Sequence, residues 1–154
     1  PRIKTEQNSS NIFIHLQILM ILIFIQIIIG ALVSGLKAGL IYNSFPLMNN
    51  KIIPEELWHL SGNPLDSPVF VQYIHRIFAF LILIYTILIY ISAESKIKTL
   101  YSLHTILIAI ITQFLLVIAT LLLISPWQLA LIHQLIAVIT LSTVVMTIKR
   151  YKLK

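Results

Sequence analysis

The residues of this sequence that could do chemistry are histidines within apolar segments. His75 and Arg76 are adjacent in VQYIHRIF (71–78), and His133 lies in LIHQLIAV (131–138). An ionisable group in lipid costs about 2.5 kcal/mol or more, so such groups usually face a protein interior and usually have a function. Both histidines therefore need partners that the rest of the chain must supply.

Composition identifies the chain as an integral membrane protein. Its 154 residues are 58% hydrophobic and 10% charged, with a mean hydropathy of +0.96, whereas soluble domains carry about 25% charged residues. The sequence has no cysteine, which excludes disulfides, thiolate metal ligands and thiol catalysis within it. The net charge of +6 comes from basic residues at the ends of apolar runs, so nucleic acid is not an expected partner.

Four apolar runs are near or above the length of about 20 residues that a membrane-spanning helix needs. We predict spans at about 11–33, 69–91, 100–124 and 127–148. The predicted fold is a single all-α domain, 1–154, a polytopic membrane four-helix bundle. A long outer loop joins the first two spans, and PEELWHL (54–60) within it predicts a short interfacial helix resting on lipid. His59 in that helix is interpreted as a solvated surface residue.

The basic residues predict the orientation of the bundle. Two of them, Lys37 and Lys51, lie in the loops on one side of the membrane. Eight lie on the other side, which holds both termini and the 92–99 loop: Arg2, Lys4, Lys96, Lys98, Lys149, Arg150, Lys152 and Lys154. Because cytoplasmic segments carry the excess of Lys and Arg, we predict a protein of the cell inner membrane with both termini in the cytoplasm.

His75 and His133 are predicted to lie at the same depth. Each follows the outer start of its span by six residues, which places it about 9 Å into the membrane. The second and fourth helices of an up-down bundle are diagonal, which leaves about 14 Å between them. A flat metal macrocycle between two imidazoles fits that gap, and imidazole is a common axial ligand of heme iron. We therefore predict a heme whose iron is bound by these two histidines.

The neighbours of the two histidines favour the same ligand. Ala79 and Ala137 each follow a histidine by four residues, and a small side chain on that helix face leaves room for a porphyrin. Arg76 points about 100° away from His75, either to snorkel toward the outer headgroups or to pair with heme propionates. The alternative is that each histidine only forms hydrogen bonds between helices.

A second heme near the inner face is a rival interpretation. His15 and His104 each follow the inner start of their span by four residues, at a depth of about 6 Å. Their neighbours four residues on, Leu19 and Ile108, would crowd a porphyrin, so this site is less favoured. Three glutamines are predicted to form hydrogen bonds between helices: Gln26, Gln113 and Gln134.

Three segments in this order resemble the carboxyl-terminal half of the heme A synthase family: GALVSGLKAGLIYNSFPLMN (30–49), VQYIHR (71–76) and LIHQLIAV (131–138). The resemblance covers the chain from its first span onward. It implies an eight-span protein of two similar four-helix halves, of which this chain would be the second. The family oxidises the C8 methyl group of heme O to the formyl group of heme A for terminal oxidase assembly. The resemblance assigns a heme b to this half, on histidines that match His75 and His133.

The resemblance also implies partners and a division of labour. Heme O and oxygen would bind the missing amino-terminal half, where the family carries a glutamate in place of Gln72. This chain is therefore assigned no catalytic residue, and we expect it to be inactive alone. Membrane lipid, heme O synthase and terminal oxidase assembly factors are the expected partners. A stand-alone membrane cytochrome b that relays electrons and a heme-free membrane assembly module remain open alternatives.

Overall fold

The computed structural model describes residues 2–93 and 100–152. This part of the chain contains four long helices. They are α1 (Arg2–Gly35), α2 (Pro68–Ser92), α3 (Leu100–Leu122) and α4 (Trp127–Lys152). Each contains a stretch that is long and apolar enough to cross a membrane: Ile12–Gly35, Pro68–Ser92, Ser102–Leu122 and Trp127–Arg150. The predicted all-α, multi-pass membrane fold is confirmed, although α1 begins nine residues before the predicted start of its span.

The helices pack in cyclic order. The extensive interfaces join α1 to α2, α2 to α3, α3 to α4 and α4 to α1, so α2 and α4 are diagonal, as predicted. The buried apolar core lies in the half of the bundle away from the long loop (residues 36–67): Ile12, Leu16, Leu19, Ile23, Ile82, Ile89, Leu103, Ile106, Ile110 and Val144. The other half, which we call the loop half, holds the two predicted heme ligands.

The end of α3 differs from the prediction. The helix stops at Leu122 rather than at residue 124, because the chain turns through a left-handed pair, Ile124 at φ 62° and Ser125 at φ 51°. The Ser125 N–H donates to the Thr120 carbonyl at 2.7 Å, and the Ile124 N–H donates to the Leu121 carbonyl at 3.1 Å. These two bonds form a Schellman ending. A β-branched residue rarely adopts a positive φ, so the apolar pattern gave no sign of this turn.

The long loop contains three short 3-10 helices, Ala38–Leu40, Glu55–His59 and Pro64–Asp66. The second lies where the interfacial helix was predicted, and it is a 3-10 helix with Trp58 70% exposed. His59 is also exposed, as predicted. The loop leads into α2 through Ser67, whose Oγ accepts the Phe70 N–H at 3.4 Å, and Pro68 occupies the first turn. This N-terminal cap fixes the start of α2 and therefore the depth of His75.

Candidate functional site

The imidazole of His75 lies against a notch on α1. The Gln26 side-chain amide donates through Nε2 to the His75 carbonyl at 2.9 Å, and the same Nε2 lies 3.4 Å from His75 Nε2. One turn further along α1, the absence of a side chain at Gly30 lets the His75 ring lie close to the helix. A Cβ at Gly30 would lie 3.3 Å from His75 Cε1, which is closer than ordinary van der Waals contact. The glutamine and the glycine together therefore position this histidine.

His133 repeats part of this arrangement in the second pair of helices. Gln113 on α3 donates through Nε2 to the His133 carbonyl on α4 at 3.0 Å. In both antiparallel pairs, α1–α2 and α3–α4, a glutamine on the first helix thus binds the backbone of the histidine on the second. The prediction that Gln26 and Gln113 form hydrogen bonds between helices is confirmed. Gln134, by contrast, is exposed on α4 and takes no part in this arrangement.

The two predicted ligands lie on the diagonal helices α2 and α4, and both contribute buried ring atoms to the loop half of the bundle. Within the described residues, His75 Nδ1 and His133 Nδ1 are buried without a hydrogen-bond partner. A buried polar atom left unpaired costs about 1–3 kcal/mol. Packing between helices alone does not account for two imidazoles left in this state, and their binding of a heme iron stays a prediction.

Arg76 and Gln72, on the turn of α2 that carries His75, hold the long loop. Arg76 donates through Nη1 to the Ser44 carbonyl at 2.9 Å and through Nη2 to the Tyr42 carbonyl at 2.8 Å. Gln72 donates through Nε2 to the same Tyr42 carbonyl at 3.0 Å. The guanidinium keeps one buried N–H, at Nε, without a partner among the described residues. Arg76 is thus the anchor of the loop, and its pairing with heme propionates stays a prediction.

The buried side chain of Tyr42 makes a second anchor for the loop. Burial, followed by interaction of the hydroxyl with the Glu56 carboxylate, raises the pKa of Tyr42 to about 12. A backbone hydrogen bond, followed by the interaction with Tyr42, lowers the pKa of Glu56. Lys51 forms an ion pair with Glu55, the residue before Glu56. The two ends of the loop segment 42–56 are therefore held against each other.

Three phenylalanines form an apolar wall between the loop and the helices. Phe45 of the loop stacks on Phe80 of α2 with ring centroids 5.9 Å apart. Phe114 of α3 makes edge contacts with Phe45 at 6.1 Å and with Phe80 at 5.0 Å. Such separations are in the favourable range for aromatic pairs. Phe114 directly follows Gln113 in the sequence, so the wall adjoins the histidine site.

The turn between α3 and α4 also docks on the loop. Ser125 donates through Oγ to the Gly39 carbonyl at 2.9 Å, and Asn43 donates to the carbonyls of Gly39 at 2.9 Å and Leu121 at 3.1 Å. A Cβ at Gly39 would lie 2.8 Å from Ser125 Oγ, so only glycine permits this approach. These contacts close the end of the bundle above the histidines.

Residues 2–145 match COX15-CtaA, a family of cytochrome oxidase assembly proteins. The chain belongs to this family. It is 46% identical over 134 residues to the heme A synthase of Wolbachia pipientis subsp. Culex pipiens (strain wPip), an alignment that covers 85% of this chain and 39% of that protein. It is 41% identical over 130 residues to the heme A synthase of Rickettsia akari (strain Hartford), covering 80% of this chain and 38% of that protein. The chain thus spans less than two fifths of either relative's length, and no solved structure matches it.

The site of this COX15-CtaA member fits a heme better than a metal ion bound by protein alone. The described residues contain no group of three or more His, Cys, Asp or Glu that could hold a metal ion. A porphyrin supplies its own equatorial ligands and needs only axial ones, for which two imidazoles suffice. His75 and His133 offer two such imidazoles, and the unpaired state of their buried Nδ1 atoms is consistent with this requirement.

The rival histidines lie in the other half of the bundle, and each has a tyrosine partner on α2. His15 Nδ1 forms a hydrogen bond with the Tyr85 hydroxyl at 2.8 Å, and His104 Nε2 forms one with the Tyr90 hydroxyl at 2.7 Å. Each of these imidazoles is therefore hydrogen-bonded to a different tyrosine. This pairing supports a structural role for both histidines and gives no support to a second heme.

Sequence reasoning singled out Arg76 and Gln72 but missed that they bind the long loop. Arg76 and Gln72 bind backbone carbonyls, which carry no residue-type signature, so no pattern could have indicated the loop anchor. A signal did exist for the notch on α1, because Gln26 and Gly30 are four residues apart in an otherwise apolar stretch. That spacing places them on one helix face.

Proposed function

We propose that this chain is the carboxyl-terminal, heme b-binding half of a heme A synthase, with His75 and His133 as the axial ligands of the heme iron. The observation that carries the proposal is a pair of imidazoles on diagonal helices, each with a buried Nδ1 that has no hydrogen-bond partner among the described residues. Membership of the COX15-CtaA family supports it, as does the name heme A synthase carried by relatives that share up to 46% identity. A chain that spans 39% of such a relative has the size expected of one half.

The complete protein would oxidise the C8 methyl group of heme O to the formyl group of heme A, using oxygen, for terminal oxidase assembly. Heme b bound in this half would supply one-electron transfer. The residues of this chain would hold that heme and exclude water from it. The long loop, anchored by Arg76 and Gln72, covers the site, and the free Nε–H of Arg76 is a donor available to a propionate.

We assign the chemistry on heme O to the amino-terminal half. Gln72 lies three residues before His75, at the place where the resemblance puts a glutamate in the other half. An amide does not accept and return a proton near neutral pH as a carboxylate does. The Gln72 side chain is also 97% buried and donates to the Tyr42 carbonyl. The proposed setting is the cell inner membrane with both termini in the cytoplasm, beside heme O synthase and oxidase assembly factors.

The test of heme binding is the reduced-minus-oxidised optical spectrum of the purified chain. We expect the spectrum of a low-spin heme b with two imidazole ligands. His75→Ala and His133→Ala should each abolish it, whereas His15→Ala and His104→Ala, which disrupt imidazoles bound to tyrosines, should leave it. Loss of heme from the His15 and His104 variants alone would overturn the assignment of the site. A wild-type chain without heme would identify a heme-free assembly module instead.

The test of the enzymatic role is co-expression with the separate amino-terminal half in cells that supply heme O. We expect heme A among the extracted hemes only when both halves are present. Heme A formed by residues 1–154 alone would contradict the division of labour. A chain that binds heme b but yields no heme A with its other half would instead be an electron-relaying cytochrome b.

A further inference from the structure

Each glutamine–histidine pair contains a matched set of unpaired atoms. Within the described residues, four buried atoms of the two pairs have no hydrogen-bond partner: Gln26 Oε1, His75 Nδ1, Gln113 Oε1 and His133 Nδ1. The amide nitrogens are already committed, because each donates to a histidine carbonyl at 2.9 or 3.0 Å. A carbonyl only accepts hydrogen bonds, so the NH2 group must face it and the amide oxygen is left free.

Iron binding changes what the imidazole needs. A neutral imidazole that gives the lone pair of one nitrogen to a metal carries a hydrogen on the other nitrogen, and that N–H requires an acceptor. Histidines that bind metals almost always donate this hydrogen to a carboxylate, a carbonyl or water. A candidate acceptor here is the free amide oxygen of the glutamine that is bound to the backbone of the same histidine. In the heme-free chain the Gln26 amide reaches the ring through its nitrogen, since Nε2 lies 3.4 Å from His75 Nε2.

We propose that Gln26 and Gln113 are positioning residues whose amide oxygens accept the N–H of the two axial imidazoles once heme is bound. Each glutamine would then bridge the backbone carbonyl and the ring of one histidine, which fixes the plane of that ring. The inference rests on the proposed function, because it requires His75 and His133 to bind heme iron. An amide accepts a hydrogen bond more weakly than a carboxylate does, so both ligands stay neutral imidazoles and the heme keeps a higher reduction potential.

Opposite substitutions separate this role from simple packing between helices. Leucine at Gln26 or Gln113 fills a similar volume without an acceptor, which makes the imidazole a poorer electron donor and should raise the midpoint potential. Glutamate strengthens the acceptor and should lower it. Gln134→Leu and Gln134→Glu are the matched controls, because Gln134 follows His133 directly but is exposed. They should leave the potential unchanged.

The measurements are redox titration and electron paramagnetic resonance of the heme-loaded chain in detergent. In the leucine variants we also expect a shift of the largest g value, which reports the angle between the imidazole planes. Heme transfer to an excess of apomyoglobin should become about tenfold faster, which corresponds to the loss of about one hydrogen bond. The potential should move in opposite directions for leucine and glutamate.

Unchanged potentials and g values in the leucine variants, with heme retained, would overturn the inference while leaving heme binding intact. Loss of heme from the leucine variant with retention by the glutamate variant would support it, because only the acceptor differs. Loss from both would overturn it, since helix packing would then explain the requirement. A wild-type chain that binds no heme would refute the proposed function itself, and the inference with it.

Discussion

One methyl group added at Gly30 should weaken heme binding without weakening the helix. The added Cβ would lie 3.3 Å from His75 Cε1, whereas ordinary contacts begin at 3.4 Å. The imidazole must therefore move by a few tenths of an ångström. In the heme-free chain no iron would hold the ring in place, and the loss of glycine from a helix contributes about 0.5–1 kcal/mol of stability. With iron bound, the ring is held from both sides and the strain stays.

Overpacking of this kind costs about 1–3 kcal/mol, and the small overlap at Gly30 places the cost near the lower limit. We expect Gly30→Ala to weaken heme affinity about five- to tenfold, while the unfolding temperature of the heme-free chain stays the same or rises. Gly30→Val should abolish binding. Heme titration followed by absorbance, together with thermal unfolding in detergent, measures the two quantities separately.

Gly35→Ala is the matched control on the same helix. A Cβ at Gly35 would meet nothing within 4 Å, so this variant should bind heme as the wild type does. Wild-type heme affinity in Gly30→Ala would refute the role of the notch. An equal loss of affinity in Gly35→Ala would show that any substitution in this part of α1 is disruptive, and the argument from the notch would then fail.

Three further predictions concern the loop and the topology. Arg76→Gln removes two charge-assisted hydrogen bonds to loop carbonyls. Limited proteolysis of the 42–56 segment should therefore become about tenfold faster or more. Arg150→Gln, at the other end of the bundle, is the control and should not change the proteolysis rate. The pKa of Tyr42 is raised from its ordinary value of 10.0 to about 12. The stabilisation by the neutral Tyr42 side chain is therefore complete below pH 10 and is lost between pH 10 and 12. The difference in unfolding temperature between wild type and Tyr42→Phe should shrink over that interval. Reporter fusions at Lys154 and within the 48–52 loop should give cytoplasmic and periplasmic signals, respectively, and a periplasmic signal at Lys154 would invert the topology.

The sequence predicted the helices because lipid imposes their length and apolar composition. A span needs a long apolar run, and the segments that begin at Pro68 and Trp127 in the structure were recognisable from the change in composition. Counting six residues from the start of each span put His75 and His133 at one level, because α2 and α4 run in the same direction. The end of α3 could not be predicted, because Ile124 continues the apolar pattern while its backbone is left-handed.

The contacts that close the site depend on the loop, and the sequence carries no rule for them. Arg76 was expected to face headgroups or propionates, and either interpretation treats its charge as the reason for its presence. In the structure, the shape of the Arg76 side chain matters as much as its charge, because one planar guanidinium reaches the carbonyls of both Tyr42 and Ser44. Every residue offers the same backbone carbonyl, so the sequence does not show which carbonyls a side chain such as Arg76 will bind.

The unequal halves of the bundle argue that the loop half is maintained for function. Of the largest fully buried apolar side chains, Leu16, Leu19, Ile106 and Val144 belong to the core cluster in the other half, whereas Val71 lies in the loop half. The loop half also buries glutamine oxygens and imidazole nitrogens that lack partners among the described residues. Water is scarce within a membrane, so nothing nearby relieves that cost of about 1–3 kcal/mol for each atom. Apolar residues of similar volume at these positions would pack without that cost, so stability does not explain the polar set. The proposed heme would explain it, because iron bound to each imidazole would leave an N–H on the ring for the glutamine oxygen to accept.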